Sequence, residues 1–131
     1  MSINNKFPII YDLASIPVLE ETASLKKCLD LMTKLRKGIA VFVDNNNKVQ
    51  GVLTDGDLRR LLLTHQSPLP SLLISDGISF GSKSPIIFTE NSNLKEIIDA
   101  FRNKHVAQIL IVDNTSKLIG YVNGYDLVKS E

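Results

Sequence analysis

A chain of 131 residues has the length of one compact unit with a buried apolar core. The apolar fraction of 44%, the charged fraction of 22% and the net charge of +1 are typical of an ordinary globular protein and argue against nucleic acid or a membrane as partner. One cysteine and two histidines exclude an internal disulfide and a thiolate–imidazole metal cluster, so we expect a cytoplasmic protein without a bound metal. We also expect no secretory signal, since the first residues lack its pattern.

An extended apolar segment, Ile16–Leu19, opens the first half of the chain. A helix is predicted from Leu25, because apolar side chains including Cys28 follow at helical spacing and Ser24 stands in position to cap it. The stretches IAVFV and VQGVLT then predict two strands joined by the polar turn DNNNK. A short helix beginning near Asp57 gives the half the order β-α-β-β-α.

The same pattern returns 69 residues further on, beginning at Leu94, and continues without a gap to the end of the chain. The turn, the strand glycines Gly51 and Gly120, and the aspartates Asp57 and Asp126 all stay in step, which indicates a duplicated unit. One half alone is too thin to bury a secure core. We therefore expect an α/β (α+β) fold in which two β-α-β-β-α repeats pack about a pseudo-two-fold axis and leave a cleft between them.

A connector rich in proline and glycine joins the halves and contains one predicted helical turn around Leu72–Ile74. We divide the chain accordingly into residues 1–66, the first repeat with its N-terminal segment, and residues 67–131, the connector with the second repeat. Both parts are expected to act as one module.

The stretch TDGDLRR, which runs from Thr54 to Arg60, follows the second strand of the first repeat. The start of a helix gathers free N–H groups and favours an anion, and Gly56 allows a ligand to approach the backbone. Asp57 can accept hydrogen bonds from both hydroxyls of a ribose, while Arg59 or Arg60 can bind phosphate oxygens. This pattern favours a site for a phosphorylated ligand.

The same residues also allow plainer interpretations. Thr54 and Asp57 can cap the short helix, and the two arginines can form a solvated face. A metal site at Asp55 and Asp57 would need further carboxylates, which the pattern does not supply. No set of nucleophile, base and orienting group can be assembled for catalysis, so we expect no enzymatic activity from this chain alone.

With two such halves, the chain resembles the tandem cystathionine-β-synthase (CBS) domain pair, also called a Bateman module. The diagnostic element is G-h-h-T-x-x-D, which stands here as Gly51 to Asp57. The longer motif TDGDLRR is similar to a sequence in the regulatory region of sugar-phosphate isomerases of the arabinose-5-phosphate type. The second half departs from the pattern at Asn123, which replaces Thr54, and at Tyr125, which fills the place that Gly56 leaves open.

The resemblance implies a nucleotide in the cleft, with its ribose and phosphate held at the Thr54 and Asp57 positions and its base against the extended segment and first strand. AMP, ADP, ATP or a CMP-type ligand would fit, and no cofactor is required. The implied ligand-binding residues are Val18, Gly38, Ile39, Ala40, Thr54, Asp57, Arg59 and Arg60. The implied second and weaker site consists of Ile87, Ala107, Gln108, Asn123 and Asp126.

Three functions follow from the resemblance. The first is a non-catalytic regulatory module that binds an adenine or cytidine nucleotide, or a nucleotide-sugar, and modulates an attached or partner sugar-phosphate enzyme. The second is a structural module without a ligand that forms a homodimer through the CBS helices. The third is a fragment of an enzyme that is similar to arabinose-5-phosphate isomerase.

Overall fold

The computed structural model describes residues 9–104 and 107–129. Within these ranges the chain forms two compact units: the first unit is Ala14–Pro85, and the second unit combines residues 9–13 with residues 86–129. Each unit contains one three-stranded sheet together with helices, so the mixed α and β class expected from the sequence is confirmed. None of the helices in the described ranges has the length and apolar character that crossing a membrane requires.

The first unit has the order β-α-β-β-α, followed by a helix in the connector and a 3-10 turn at Gly77–Phe80. Its central strand pairs in parallel with the strand before the long helix and antiparallel with the strand after it. The elements are β1 (Val18–Glu20), α1 (Leu25–Leu35), β2 (Ile39–Val43), β3 (Val49–Thr54), α2 (Asp55–Thr64) and α3 (Leu69–Ile74).

The second unit repeats the order β-α-β-β-α and the same strand pairing, parallel and then antiparallel about the central strand. Its core is formed by apolar side chains of the long helix and the two longer strands, among them Ile97, Ile109 and Val122. The elements are β4 (Ile87–Thr89), α4 (Leu94–Lys104), β5 (Gln108–Val112), β6 (Leu118–Asn123) and α5 (Gly124–Lys129).

Helix α1 lies where the spacing of apolar residues predicts it. Its first turn is capped by Ser24, whose side chain accepts a hydrogen bond from the Lys27 backbone N–H at 3.1 Å. One face packs into the core of the first unit, where β2 is buried along its whole length. The buried side chains of α1 are Leu25, Cys28 and Met32.

The turns between the two longer strands of each unit are built in the same way. Asp44 accepts hydrogen bonds from the backbone N–H groups of Asn46 and Lys48, at 2.8 and 3.0 Å. Asp113 makes the equivalent bonds in the second unit, at 2.8 and 3.0 Å. The Thr115 hydroxyl also donates to Asp113, at 2.7 Å, and is the main reason why the pKa of Asp113 is lowered; the backbone bonds, that from Lys48 above all, lower the pKa of Asp44. These bonds favour the charged carboxylates, so their stabilising contribution is lost as the pH falls through the lowered pKa values.

The third strand of each sheet is covered by a segment that precedes the other repeat in the chain. In the first unit, Val52 of β3 exchanges two backbone hydrogen bonds with Ser82, at 2.9 and 2.8 Å. In the second unit, Tyr121 of β6 exchanges two with Ile10, at 2.8 and 3.0 Å. Val52 and Tyr121 are equivalent positions of the duplication. Each of the two strands therefore has a partner on its outer edge at this position.

Because of this exchange, the compact units do not follow the boundary that the sequence suggests between residues 66 and 67. The connector packs on the first unit, where the Leu25 backbone N–H bonds to the Ser75 carbonyl at 2.8 Å and the Gly77 N–H bonds to the Ala23 carbonyl at 2.9 Å. Residues 9–13 belong to the second unit instead. The division into residues 1–66 and 67–131 stays a prediction about the repeats.

The covering segments also explain why glycine recurs at Gly51 and Gly120. A Cβ atom at Gly51 would lie 2.9 Å from the Ser82 carbonyl oxygen, and a Cβ atom at Gly120 would lie 2.8 Å from the Ile10 carbonyl oxygen. Both contacts are with backbone, which cannot turn away as a side chain can. A side chain at either position would force the covering segment off the strand.

We predict that Gly51→Ala and Gly120→Ala each lower the free energy of unfolding by about 1–3 kcal/mol, because the added methyl group overlaps backbone that has no room to move. Gly56→Ala is the matched control, since its Cβ would lie 3.4 Å from the nearest atom, an Arg60 nitrogen, in a helix where alanine is preferred. Urea unfolding followed by circular dichroism measures all three. Equal stability of the Gly51 and Gly56 variants would contradict the prediction.

Cys28 is buried in α1, and burial raises the pKa of its thiol to about 11. The thiolate, which is the reactive form, is therefore scarce at neutral pH. We predict that iodoacetamide at pH 8 labels Cys28 only when the first unit unfolds, so that labelling and unfolding follow the same urea dependence. Rapid labelling of the native protein would show that this part of the core opens.

Candidate functional site at the strand-to-helix junction

Thr54 and Asp57, the two residues of the sequence motif, lie at the junction between β3 and α2. Thr54 is the last residue of β3 and the N-cap of α2, and the helix begins at Asp55 rather than near Asp57. The reason is a capping box: the Asp57 backbone N–H donates to the Thr54 hydroxyl at 3.4 Å, and the Thr54 backbone N–H donates to the Asp57 carboxylate at 2.9 Å. The capping interpretation is therefore correct for these two residues.

The two carboxylate oxygens of Asp57 have different partners. Oδ2 accepts from both the backbone N–H and the hydroxyl of Thr54, at 2.9 and 3.1 Å. Oδ1 pairs with Nη2 of Arg60 at 2.5 Å. The Asp57 side chain is only 13% exposed, whereas the Arg60 side chain is 61% exposed. Thr54 thus holds one oxygen of the carboxylate, and the other oxygen is paired with the exposed guanidinium of Arg60.

Gly38 lies against the start of α2. The Asp55 backbone N–H donates to the Gly38 carbonyl at 3.1 Å, and a Cβ atom at Gly38 would lie 2.6 Å from Oδ2 of Asp55. The two residues adjoin an open concavity of about 320 Å³ at the ends of α1 and α2. Its lining consists of Leu29, Met32, Thr33, Arg36, Lys37, Gly38, Asp55 and Leu58.

The other predicted site residues of the first repeat are less accessible or lie further out. Ile39 is paired with Thr54 across the sheet, but Ile39 and Ala40 are both buried. Val18, half-buried in β1, is paired with Val41. Arg59 is exposed on α2 next to Arg60. The structure thus brings Asp57 into direct contact with Thr54 and with Arg60, and brings Gly38 to the same strand-to-helix junction.

The second repeat uses the equivalent positions differently. The Gly124 N–H donates to the Ala107 carbonyl at 2.7 Å, which matches the bond between Asp55 and Gly38. A Cβ atom at Gly124 would lie 2.0 Å from Cδ1 of Phe101, so the aromatic ring occupies the space beside the junction. Tyr125, 59% exposed, packs edge-on against Phe101 with ring centroids 5.1 Å apart.

The remaining residues of the predicted second site lie at the ends of strands β4, β5 and β6 and in helix α5. Asn123 ends β6 and accepts a hydrogen bond from the Tyr125 backbone N–H at 3.0 Å. Gln108, paired with Asn123, and Asp126 are half-buried, and Ile87 is exposed at the start of β4. Phe101 is the residue that the sequence analysis missed here. The sequence did hint at a difference here, because Ala107 and Gly124 stand in the second repeat where the first has Gly38 and Asp55.

Among residues 9–104 and 107–129, no three side chains of histidine, cysteine, aspartate or glutamate come close enough together to hold a metal ion. Asp55 and Asp57 have different neighbours. Asp57 contacts Thr54 and Arg60, whereas Asp55 lies against Gly38. The junction offers hydrogen-bond acceptors and an ion pair.

Comparison with known proteins agrees with this fold. The arabinose 5-phosphate isomerase KdsD of Escherichia coli (strain K12) is 28% identical over 119 residues, which cover 88% of this chain and 34% of that protein. The chain thus spans about a third of the length of the curated relatives it matches.

Two solved structures are complexes with AMP. A CBS domain protein of Pyrobaculum aerophilum complexed with AMP matches with a TM-score of 0.70 at 18% identity, over 85% of this chain and 82% of that chain. The structure of CBSX2 in complex with AMP matches with a TM-score of 0.73 at 21% identity, over 88% of this chain and 87% of that chain. At these identities the likeness shows the fold.

The family model described as CBS domain matches the chain twice, at residues 10–64 and at residues 78–131. The two matches correspond to the two repeats of the duplication and together cover most of the chain. The chain belongs to the CBS domain family and carries two CBS domains in tandem, the arrangement called a Bateman module.

Proposed function

We propose that this CBS pair is a non-catalytic regulatory module that binds an adenine or cytidine nucleotide, or a nucleotide-sugar, and modulates an attached or partner sugar-phosphate enzyme. The observation that carries the proposal is the Asp57 carboxylate, held at the start of α2 by Thr54 with its second oxygen turned to an exposed partner. The AMP complexes among the similar structures support a nucleotide as ligand. The similarity to KdsD supports a sugar-phosphate isomerase as the regulated enzyme.

The junction suits the sugar and phosphate of a nucleotide. Asp57 Oδ1 is placed to accept a hydrogen bond from a ribose hydroxyl. Such a bond to a charged carboxylate is stronger than a hydrogen bond between neutral groups. A phosphate at the first turn of α2 would meet the positive end of the helix dipole and the arginines Arg59 and Arg60. Asp55 and Asp57 add negative charge to the same turn, so the two arginines are needed to make it acceptable to an anion.

The first repeat, rather than the second, is the proposed binding repeat. A ligand at the second junction would have to displace Phe101 from Gly124 and from Tyr125, with the loss of aromatic packing. At the first junction the neighbouring space is an open concavity beside Gly38 and Asp55. We therefore propose one nucleotide for each chain. The cleft between the repeats stays a prediction from the sequence.

We predict that Asp57→Asn lowers the affinity for the nucleotide about ten- to hundredfold, or roughly 1.5–3 kcal/mol, because the charge-assisted bonds to the ribose are lost. Asparagine still accepts the Thr54 backbone N–H, so the helix cap is largely kept. Calorimetry with AMP, ADP, ATP, CMP, a CMP-sugar and S-adenosylmethionine measures the effect, with thermal unfolding as the check on folding.

Two further variants sharpen this experiment. Asp30→Asn removes an exposed carboxylate of α1 that pairs with Lys26, and it is expected to leave the affinity unchanged. Asp126→Asn alters the equivalent position of the second repeat and is expected to cost at least tenfold less affinity than Asp57→Asn. The proposal is overturned if no nucleotide of the panel gives a binding signal, or if the Asp126 variant loses more affinity than the Asp57 variant.

Self-association is a second candidate function, and it is favoured by two exposed leucines on α2. Leu62 is 70% exposed and Leu63 is 79% exposed. Adjacent large apolar side chains at this exposure gain free energy when a second surface covers them. We propose that a second copy of this chain packs on α2, so that the module is a homodimer.

We predict that the double variant Leu62→Ser/Leu63→Ser raises the dissociation constant of the dimer at least tenfold, since each buried leucine contributes about 1.5–3 kcal/mol. Sedimentation velocity over a range of protein concentrations measures it. Ile74→Ser is the matched control, because Ile74 is 80% exposed but lies on α3. A wild-type protein that stays monomeric at 100 micromolar, on the order of the concentrations used for such experiments, would contradict the candidate.

A further inference from the structure

We propose that Arg60 is a specificity-determining residue that makes the first junction select phosphorylated nucleosides over nucleosides. Arg60 pairs with Asp57 in the structure, and it transfers to the phosphate when a ribose hydroxyl takes its place at Asp57. The inference rests on the proposed function, and it adds a competition that is built into the site.

Only one oxygen of the Asp57 carboxylate, Oδ1, can bind a ligand without loss of the helix cap. Oδ2 already accepts two hydrogen bonds from Thr54, and these bonds hold the start of α2. Oδ1 has the guanidinium of Arg60 at 2.5 Å. A ribose hydroxyl that binds this carboxylate must therefore compete with Arg60 for Oδ1.

Arg60 is the partner that can move. Its side chain is 61% exposed against 13% for Asp57, and the pair joins two positions of one helix that are three residues apart. Exposed ion pairs of this kind favour the paired state by at most about fivefold, so the pair is readily given up. Asp57, in contrast, cannot leave without loss of the helix cap.

The guanidinium also stands close to where a phosphate would bind. A Cβ atom at Gly56 would lie 3.4 Å from Nη1 and 3.7 Å from Nη2 of Arg60, so the guanidinium lies over the first turn of α2. A phosphate drawn to that helix start would meet the guanidinium after a short movement, with bidentate geometry available. The absence of a side chain at Gly56 keeps the path between Asp57 and the phosphate position open.

The two ligands are then treated differently. A nucleoside displaces Arg60 from Asp57 and offers the guanidinium no new anion. A nucleotide displaces Arg60 in the same way and supplies a phosphate in return. Arg60 therefore lowers the affinity for the nucleoside and raises the affinity for the nucleotide, and its removal should change the two affinities in opposite directions.

The test is calorimetry of the whole chain with the pairs AMP and adenosine, and CMP and cytidine, on wild type and Arg60→Gln. We expect the variant to bind the nucleoside up to about fivefold more tightly, because Asp57 is released, and to bind the nucleotide about tenfold more weakly. Arg60→Lys keeps a positive charge and should restore part of the preference for phosphate. Lys26→Gln is the control, since it removes one positive charge from an exposed ion pair of α1.

The outcomes separate this inference from the proposed function. If wild type binds a nucleotide and Arg60→Gln weakens the nucleotide and nucleoside alike, or changes neither, Arg60 does not set the selectivity and only the inference fails. If wild type binds none of the four ligands and none of the wider nucleotide panel, the proposed function fails and the inference with it. Opposite changes for nucleotide and nucleoside, absent in Lys26→Gln, support the inference.

Discussion

The hydrogen bonds exchanged between Thr54 and Asp57 fix the turn from β3 into α2, and the candidate site depends on that turn. They begin the helix at Asp55, bring its backbone N–H to the Gly38 carbonyl, and leave one oxygen of Asp57 for another partner. Capping and ligand binding had looked like alternatives when only the sequence was considered. The structure makes them compatible, because capping uses one oxygen of the carboxylate and the proposed ligand would use the other. A residue that is fixed in place by its structural role is also a well-oriented acceptor for a ligand.

Much of the fold could be predicted because its signals are local. The apolar stripe of α1, the buried run of β2 and the polar turn at Asp44 each lie within a few residues, and the duplication doubles every signal. The exchange of covering segments could not be predicted in this way. Ile10 and Tyr121 are far apart in the chain, and their bond is between backbone groups, which leave no side-chain pattern. The recurrence of Gly51 and Gly120 was visible in the sequence. Its reason, the close approach of a second backbone segment, is seen only in the structure.

The contacts at the first junction were predictable to a similar degree, and for the same reason. Thr54, Asp57 and Arg60 are close in sequence, so their contact follows from the geometry of one helix turn. Gly38 was placed in the site only through the resemblance to the CBS family, since its contact with Asp55 joins two separate elements. The difference between the repeats was the hardest part to foresee. It depends on the Phe101 ring, which occupies the space beside Gly124 and comes from a helix well before the motif.

The energetics of the two junctions explain why the proposed ligand would bind at the first one with little cost to the protein. A carboxylate that is 13% exposed needs strong partners, and the two bonds from Thr54 supply them whether or not Arg60 stays. Exchanging the exposed guanidinium for a ribose hydroxyl therefore changes little in the protein itself. The free energy from the base and the phosphate then remains available for binding. At the second junction a ligand would first have to move Phe101 from its contact with Gly124 and Tyr125, and close-packed interiors resist such a movement. Duplication thus produced two similar junctions, and the one we propose as the binding site is the one in which no aromatic ring fills the neighbouring space.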